Sequence, residues 1–146
     1  MHPSLVEGQE MSGQMREMST ARILAFSGGS FSAPGWPAKN LHTDAAKAKE
    51  AGLTAPIASG IQCESDLIRL LADLFGDAWF RSGKLHIKYP RPVFSGMSLR
   101  PHARVLARRP ADAGTIVELE VWGETPEKEV VIAGTASCVE PPAPQR

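Results

Sequence analysis

The chain has 146 residues, the size of one domain built on one hydrophobic core. Its hydrophobic fraction of 42% excludes a disordered polymer, and no stretch approaches the roughly 20 apolar residues that a bilayer crossing needs. The 16 basic and 16 acidic residues cancel, which removes the electrostatic case for a nucleic-acid partner. The start, MHPSLVEGQE, carries no basic region followed by an apolar run, so no signal peptide is read and a cytoplasmic location is expected. Cys63 and Cys138 lack metal-ligand spacing and are expected as buried free thiols.

In chain order, the first ten residues are expected to be loosely held. Ser19 or Thr20 can cap a short helix carrying Ile23, Leu24 and Phe26. Residues 28–40, GGSFSAPGWPAKN, hold three glycines and two prolines, so a loop is expected. Residues 43–52, TDAAKAKEAG, favour a helix, with Gly52 at its C-terminal end. The main helix is predicted over 60–75 and is stopped by Gly76. At about 100° per residue, Ile61, Ile68, Leu71 and Phe75 share one stripe, broadened by Leu67 and Leu74. Gln62, Asp66, Arg69 and Asp73 fall opposite. The rest reads as strands: 84–89, 99–106, 115–122 and 130–139, with Pro90, Pro92 and Gly96 between the first two. Residues 1–139 therefore form one domain, and 140–146, EPPAPQR, are expected as a disordered proline-rich tail. A long helix followed by several antiparallel strands predicts an α+β fold with the sheet curled around the helix.

Glu64 is informative by position. Helical spacing sets it among Ile61, Ile68 and Leu71, where a carboxylate must find a partner or change its proton affinity. It reads either as a functional carboxylate or as an N-terminal charge favourable to the helix dipole. Ser59, directly before the helix, is expected chiefly as its cap. Ser65 can hydrogen-bond a substrate or cap the helix, and Trp36 can line a pocket or anchor its loop. Arg100, Arg104, Arg108 and Arg109 read as solvated strand charges or as phosphate contacts. His86 and His102 are read as surface or satisfied histidines, and no metal or cofactor is expected.

The order of local motifs narrows the fold. Asn40-Leu41-His42-Thr43-Asp44 precedes the short helix, and Pro56-Ile57-Ala58-Ser59-Gly60 opens the main one. Ile87-Lys88-Tyr89-Pro90-Arg91-Pro92-Val93-Phe94-Ser95-Gly96 follows, and Gly8-Gln9 lies near the start. Over roughly residues 5–139 this resembles the MaoC-like (R)-specific enoyl-CoA hydratases, which have a hot-dog fold, an antiparallel sheet wrapped around a long central helix. The resemblance implies hydration of a trans-2-enoyl thioester or the reverse dehydration. It implies that His42 is the acid/base and that the Gly60 N–H binds the thioester oxygen, with Asn40 and Asp44 flanking the histidine. Trp36, Asn40, Ser59 and Ser65 are the expected substrate-binding residues. It also implies an acyl-CoA or acyl-carrier substrate and a homodimer. The pattern departs in places. The family's loop Asp falls on Pro37, residues 28–39 contain no carboxylate, and Ser59 stands where the family commonly has His. Glu64 is the proposed replacement for that Asp. A hot-dog thioesterase using Glu64, and a non-catalytic acyl-CoA-binding subunit, are the alternatives.

Overall fold

The computed structural model describes residues 4–142. The elements are β1 (Glu10–Ser12), β2 (Arg16–Glu17), α1 (Thr20–Ser27), α2 (Ala45–Glu50), α3 (Gly60–Phe75), α4 (Asp77–Ser82), β3 (Lys84–Lys88), β4 (Ser98–Ala111), β5 (Gly114–Glu124) and β6 (Val130–Glu140). The sheet is antiparallel, with strand order β1-β4-β5-β6-β3 and β2 paired beside the start of β4. It curls around α3, as expected of the α+β reading.

The strands alternate as a half-buried sheet should. Leu99, Ala103 and Val105 on β4, Val117, Leu119 and Val121 on β5, and Ala136 and Cys138 on β6 all point inward. Leu106 follows the alternation outward and is exposed, and a bulge between Val105 and Ala107 then breaks the pattern. β4 to β6 run longer than the sequence suggested, and β1, β2 and α4 were not anticipated. Within β4 the Pro101 carbonyl accepts from Gly13 N at 2.8 Å.

Helix ends follow local chemistry. Ser19 caps α1, accepting from Arg22 N, and Asp44 caps α2, accepting from Lys47 N at 3.0 Å. Gly52 follows α2 with φ of 81°, a left-handed conformation suited to glycine.

The bounds of α3 are those expected, but its buried face is not. Cys63, Leu67, Leu70 and Leu71 are buried, whereas Ile61 is 65% exposed. Gln62, expected on the solvent side, is buried and donates to Arg22 O at 2.9 Å. Asp66 pairs with Arg16 at 2.8 Å. The N-terminal half of the polar face thus meets α1 and β2, while Arg69 and Asp73 stay exposed. α3 is apolar over more than half its circumference, so periodicity allowed two phases, and packing selected the one containing Leu70.

The N-terminal segment is better held than expected. Leu5 is buried and Gly8 N donates to Val105 O at 2.9 Å. At the other end, β6 continues through Glu140, which pairs with Arg108 at 2.8 Å. Residues 143–146 of the expected tail, like residues 1–3, lie outside the described residues.

Candidate active site

The loop 28–40 has no regular structure, and Asn40 closes it. The Asn40 side chain donates to Ser27 O at 2.8 Å, and its Oδ1 accepts from the His42 backbone N–H at 2.9 Å. Asn40, expected to contact substrate, thus uses both ends of its amide to hold the loop and set the His42 backbone. Thr43 adds to this: its hydroxyl accepts from Asn40 N at 3.0 Å and donates to Ala38 O at 2.5 Å.

A second connection fixes the opposite wall. Ala58 N donates to Val93 O at 2.8 Å, and Ile57 bridges Phe94, so the segment entering α3 runs beside the segment leaving β3. Between them lies a cavity of about 320 Å³ lined by His42, Ser59, Gly60, Ile61, Tyr89 and Arg91, with Ile57, Ala58, Cys63, Pro92 and Val93 completing it. His42 and Gly60, paired from sequence, therefore share one cavity.

His42 Nδ1 lies 2.8 Å from Ile57 O. A carbonyl can only accept, so Nδ1 carries the proton and Nε2 of the neutral ring keeps its lone pair. The main-chain carbonyl of Ile57 thus orients the His42 ring. Gly60 opens α3, and its N–H has no hydrogen-bond partner among the described residues; in the helix body, Cys63 N is already satisfied by Ser59 O at 3.1 Å. Ser59 occupies the N-cap position in extended conformation, but its hydroxyl makes no capping bond. The expected capping role is thus not formed. Ser59 lines the cavity together with His42 and Gly60.

Glu64 is half-buried and is not part of the cavity wall. Its carboxylate accepts a short hydrogen bond from the Tyr89 hydroxyl, and Tyr89 does line the cavity. Tyr89 was read only as the end of a strand. Alternation placed it with Leu85 and Ile87, but its pairing with Glu64 joins residues far apart in sequence, which no local pattern reports. Burial, and then the hydrogen bond to Glu64, push the Tyr89 phenol well above the usual range, so it stays protonated. Burial pushes the Cys63 thiol up to about 11, aided by the charges of Asp66 and Glu64. At neutral pH Cys63 is a protonated, inert part of the wall.

The remaining expectations fall elsewhere. The Trp36 ring packs against Phe31 at 5.0 Å between centroids and lies outside the His42 cavity. Ser65 donates to Gln62 O at 2.7 Å and faces a separate groove between α1 and α3. Arg104 pairs with Glu120 and Glu10, Arg108 with Glu140, and Arg109 with Glu118. The His102 ring stacks on Trp122 at 5.0 Å, and desolvation lowers its proton affinity.

No family model matches the chain, and neither does any curated protein sequence. Solved structures do match. A MaoC-like dehydratase from Rhodospirillum rubrum is 23% identical with a TM-score of 0.75, covering 97% of this chain and 96% of that one. The R-hydratase PhaJ1 from Pseudomonas aeruginosa is 21% identical with a TM-score of 0.70, covering 95% and 84%. An (R)-hydratase from A. caviae involved in PHA biosynthesis is 23% identical with a TM-score of 0.66, covering 96% and 100%. With its antiparallel sheet wrapped around α3, the chain has the hot-dog fold of the MaoC-like dehydratases and (R)-hydratases.

Proposed function

We propose that the chain is a hydro-lyase acting on acyl thioesters, an enoyl-CoA hydratase or 3-hydroxyacyl-CoA dehydratase with an atypical site. The observation that carries this reading is the pairing, in one cavity, of a histidine whose Nε2 is left as a base with a helix N-terminus whose first N–H is unbonded. In the hydration direction, a water gives a proton to His42 Nε2 as its oxygen bonds to C3 of the enoyl group. The π electrons of C2=C3 move through C2 onto the thioester oxygen. The Gly60 N–H and the dipole of α3 stabilise that developing charge. The proton then passes from His42 to C2, giving the 3-hydroxyacyl thioester and restoring the neutral ring. Ser59, whose hydroxyl is free of a capping bond, lines the same cavity and supplies a further contact to substrate. Glu64 acts at one remove, through Tyr89, rather than as a direct partner of His42.

The absence of any carboxylate in 28–39 favours a second reading, a subunit that binds acyl thioesters without turning them over. Incubation with crotonyl-CoA and with butyryl-CoA separates the possibilities. Loss of the enoyl absorbance from crotonyl-CoA supports the hydratase. Release of free thiol from either substrate identifies a thioesterase, and binding without turnover identifies the second reading.

A further inference from the structure

The geometry points to Tyr89 as the residue that recognises the 3-hydroxyl group, or the water that becomes it, with Glu64 as the positioning residue that keeps the phenol oxygen an acceptor. This rests on the acyl-thioester reading above and extends it to a residue with no assigned role.

Three observations converge. Tyr89 lies just beyond β3, between that strand and Pro90, and lines the cavity together with His42. Its ring lies across the first residue of α3: a Cβ built on Gly60 would come within 2.7 Å of Tyr89 Cζ. The ring therefore packs against the helix start whose N–H is proposed to hold the thioester oxygen, and any side chain at Gly60 would force it to shift. One turn further along α3, the hydroxyl donates to Glu64 Oε2. A phenol has a single proton, so donation to Glu64 leaves its oxygen only lone pairs to offer the cavity. A neutral His42 likewise offers Nε2 as an acceptor. Two acceptors in one cavity suit a group with hydrogens to give, namely a water before addition or a hydroxyl after it. A saturated acyl chain has no such hydrogen. The site is thereby matched to 3-hydroxyacyl thioesters over their saturated counterparts.

Glu64→Gln breaks this arrangement without changing shape. A glutamine amide can donate to the tyrosine oxygen, which turns the phenol proton toward the cavity and mixes donor with acceptor character. Tyr89→Phe removes the oxygen and keeps the ring over Gly60.

The test is calorimetric binding of (R)-3-hydroxybutyryl-CoA and butyryl-CoA to the wild-type chain, Tyr89→Phe, Glu64→Gln and the double variant. The expected result is about tenfold tighter binding of the hydroxy ligand by the wild type, of the size of one good hydrogen bond. That preference is lost in Tyr89→Phe and reduced in Glu64→Gln. The double variant behaves as Tyr89→Phe alone, because Glu64 acts only through Tyr89. A merely structural Tyr89 would weaken both ligands alike and leave their ratio unchanged, which overturns the assignment, as does a wild type with no preference. If the wild type hydrates crotonyl-CoA while Tyr89→Phe keeps the preference, the Tyr89 assignment alone falls. If the wild type binds neither thioester, the acyl-thioester reading falls with it.

Discussion

Ser19 and Ser59 both stand directly before a helix, yet only Ser19 caps one. The Ser19 hydroxyl accepts from Arg22 N, whereas the Ser59 hydroxyl binds no helix N–H. Ser19→Ala is expected to cost about 1 kcal/mol of stability, a usual loss for a cap. Ser59→Ala is expected to leave stability within about 0.5 kcal/mol of the wild type. Denaturant melts of the two variants check this. Cys63 gives the residue scale a pH signature. Its folded thiol titrates at about 11 against 9.0 for an unperturbed one, so the unfolded chain ionises first as pH rises. Its contribution is therefore fully present below about 9 and is lost as pH climbs to about 11. Cys138, also raised by burial, adds to the same limb. Urea midpoints measured from pH 8 to 11 should fall over that window, and Cys63→Ala should show a shallower fall from a lower starting stability.

At the scale of elements, α3 shows what a sequence pattern carries and what it does not. Gly60 and Gly76 mark its ends through local chemistry, so both bounds were legible. Its rotation about its own axis was not, because Ile61 and Ile68 on one side and Cys63, Leu67 and Leu70 on the other are both apolar sets that share Leu71. The choice between them is made by the sheet and by α1, which are distant in sequence. Leu67→Ala should therefore cost about 2–5 kcal/mol, while Ile61→Ala should cost less than about 1 kcal/mol in the folded monomer; equal losses in thermal melts would contradict the observed phase. The same division runs through the site. His42 and Gly60 were legible because each sits in a short motif of its own. The contacts that give them meaning, His42 to the Ile57 carbonyl and Glu64 to Tyr89, cross between segments, and the expectation that Glu64 would face His42 directly followed from the wrong helix phase. β1, β2 and α4 were missed because each is too short to show a period.

At the scale of the molecule, β3 is an edge. It pairs with β6 on one side only, and its other side presents unpaired backbone groups, an arrangement that sheets complete by joining a second copy. Ile61, 65% exposed at the rim of the His42 cavity, and Phe80, 76% exposed on α4, leave apolar surface for such a copy to cover. Sedimentation velocity at micromolar concentration should give a dimer; monomer alone would argue that the edge is left open.

In the proposed reaction His42, oriented by the Ile57 carbonyl, is the acid/base of an enoyl-thioester hydratase. The most direct measurement is the enoyl absorbance of crotonyl-CoA followed with the wild-type chain and with His42→Ala under identical conditions. A steady loss of absorbance is expected for the wild type and a rate at least about a hundredfold lower for His42→Ala, as when a general acid/base is removed, with the variant still folded by circular dichroism. Equal rates for the two proteins, or no absorbance change with a wild type that binds crotonyl-CoA, would contradict it.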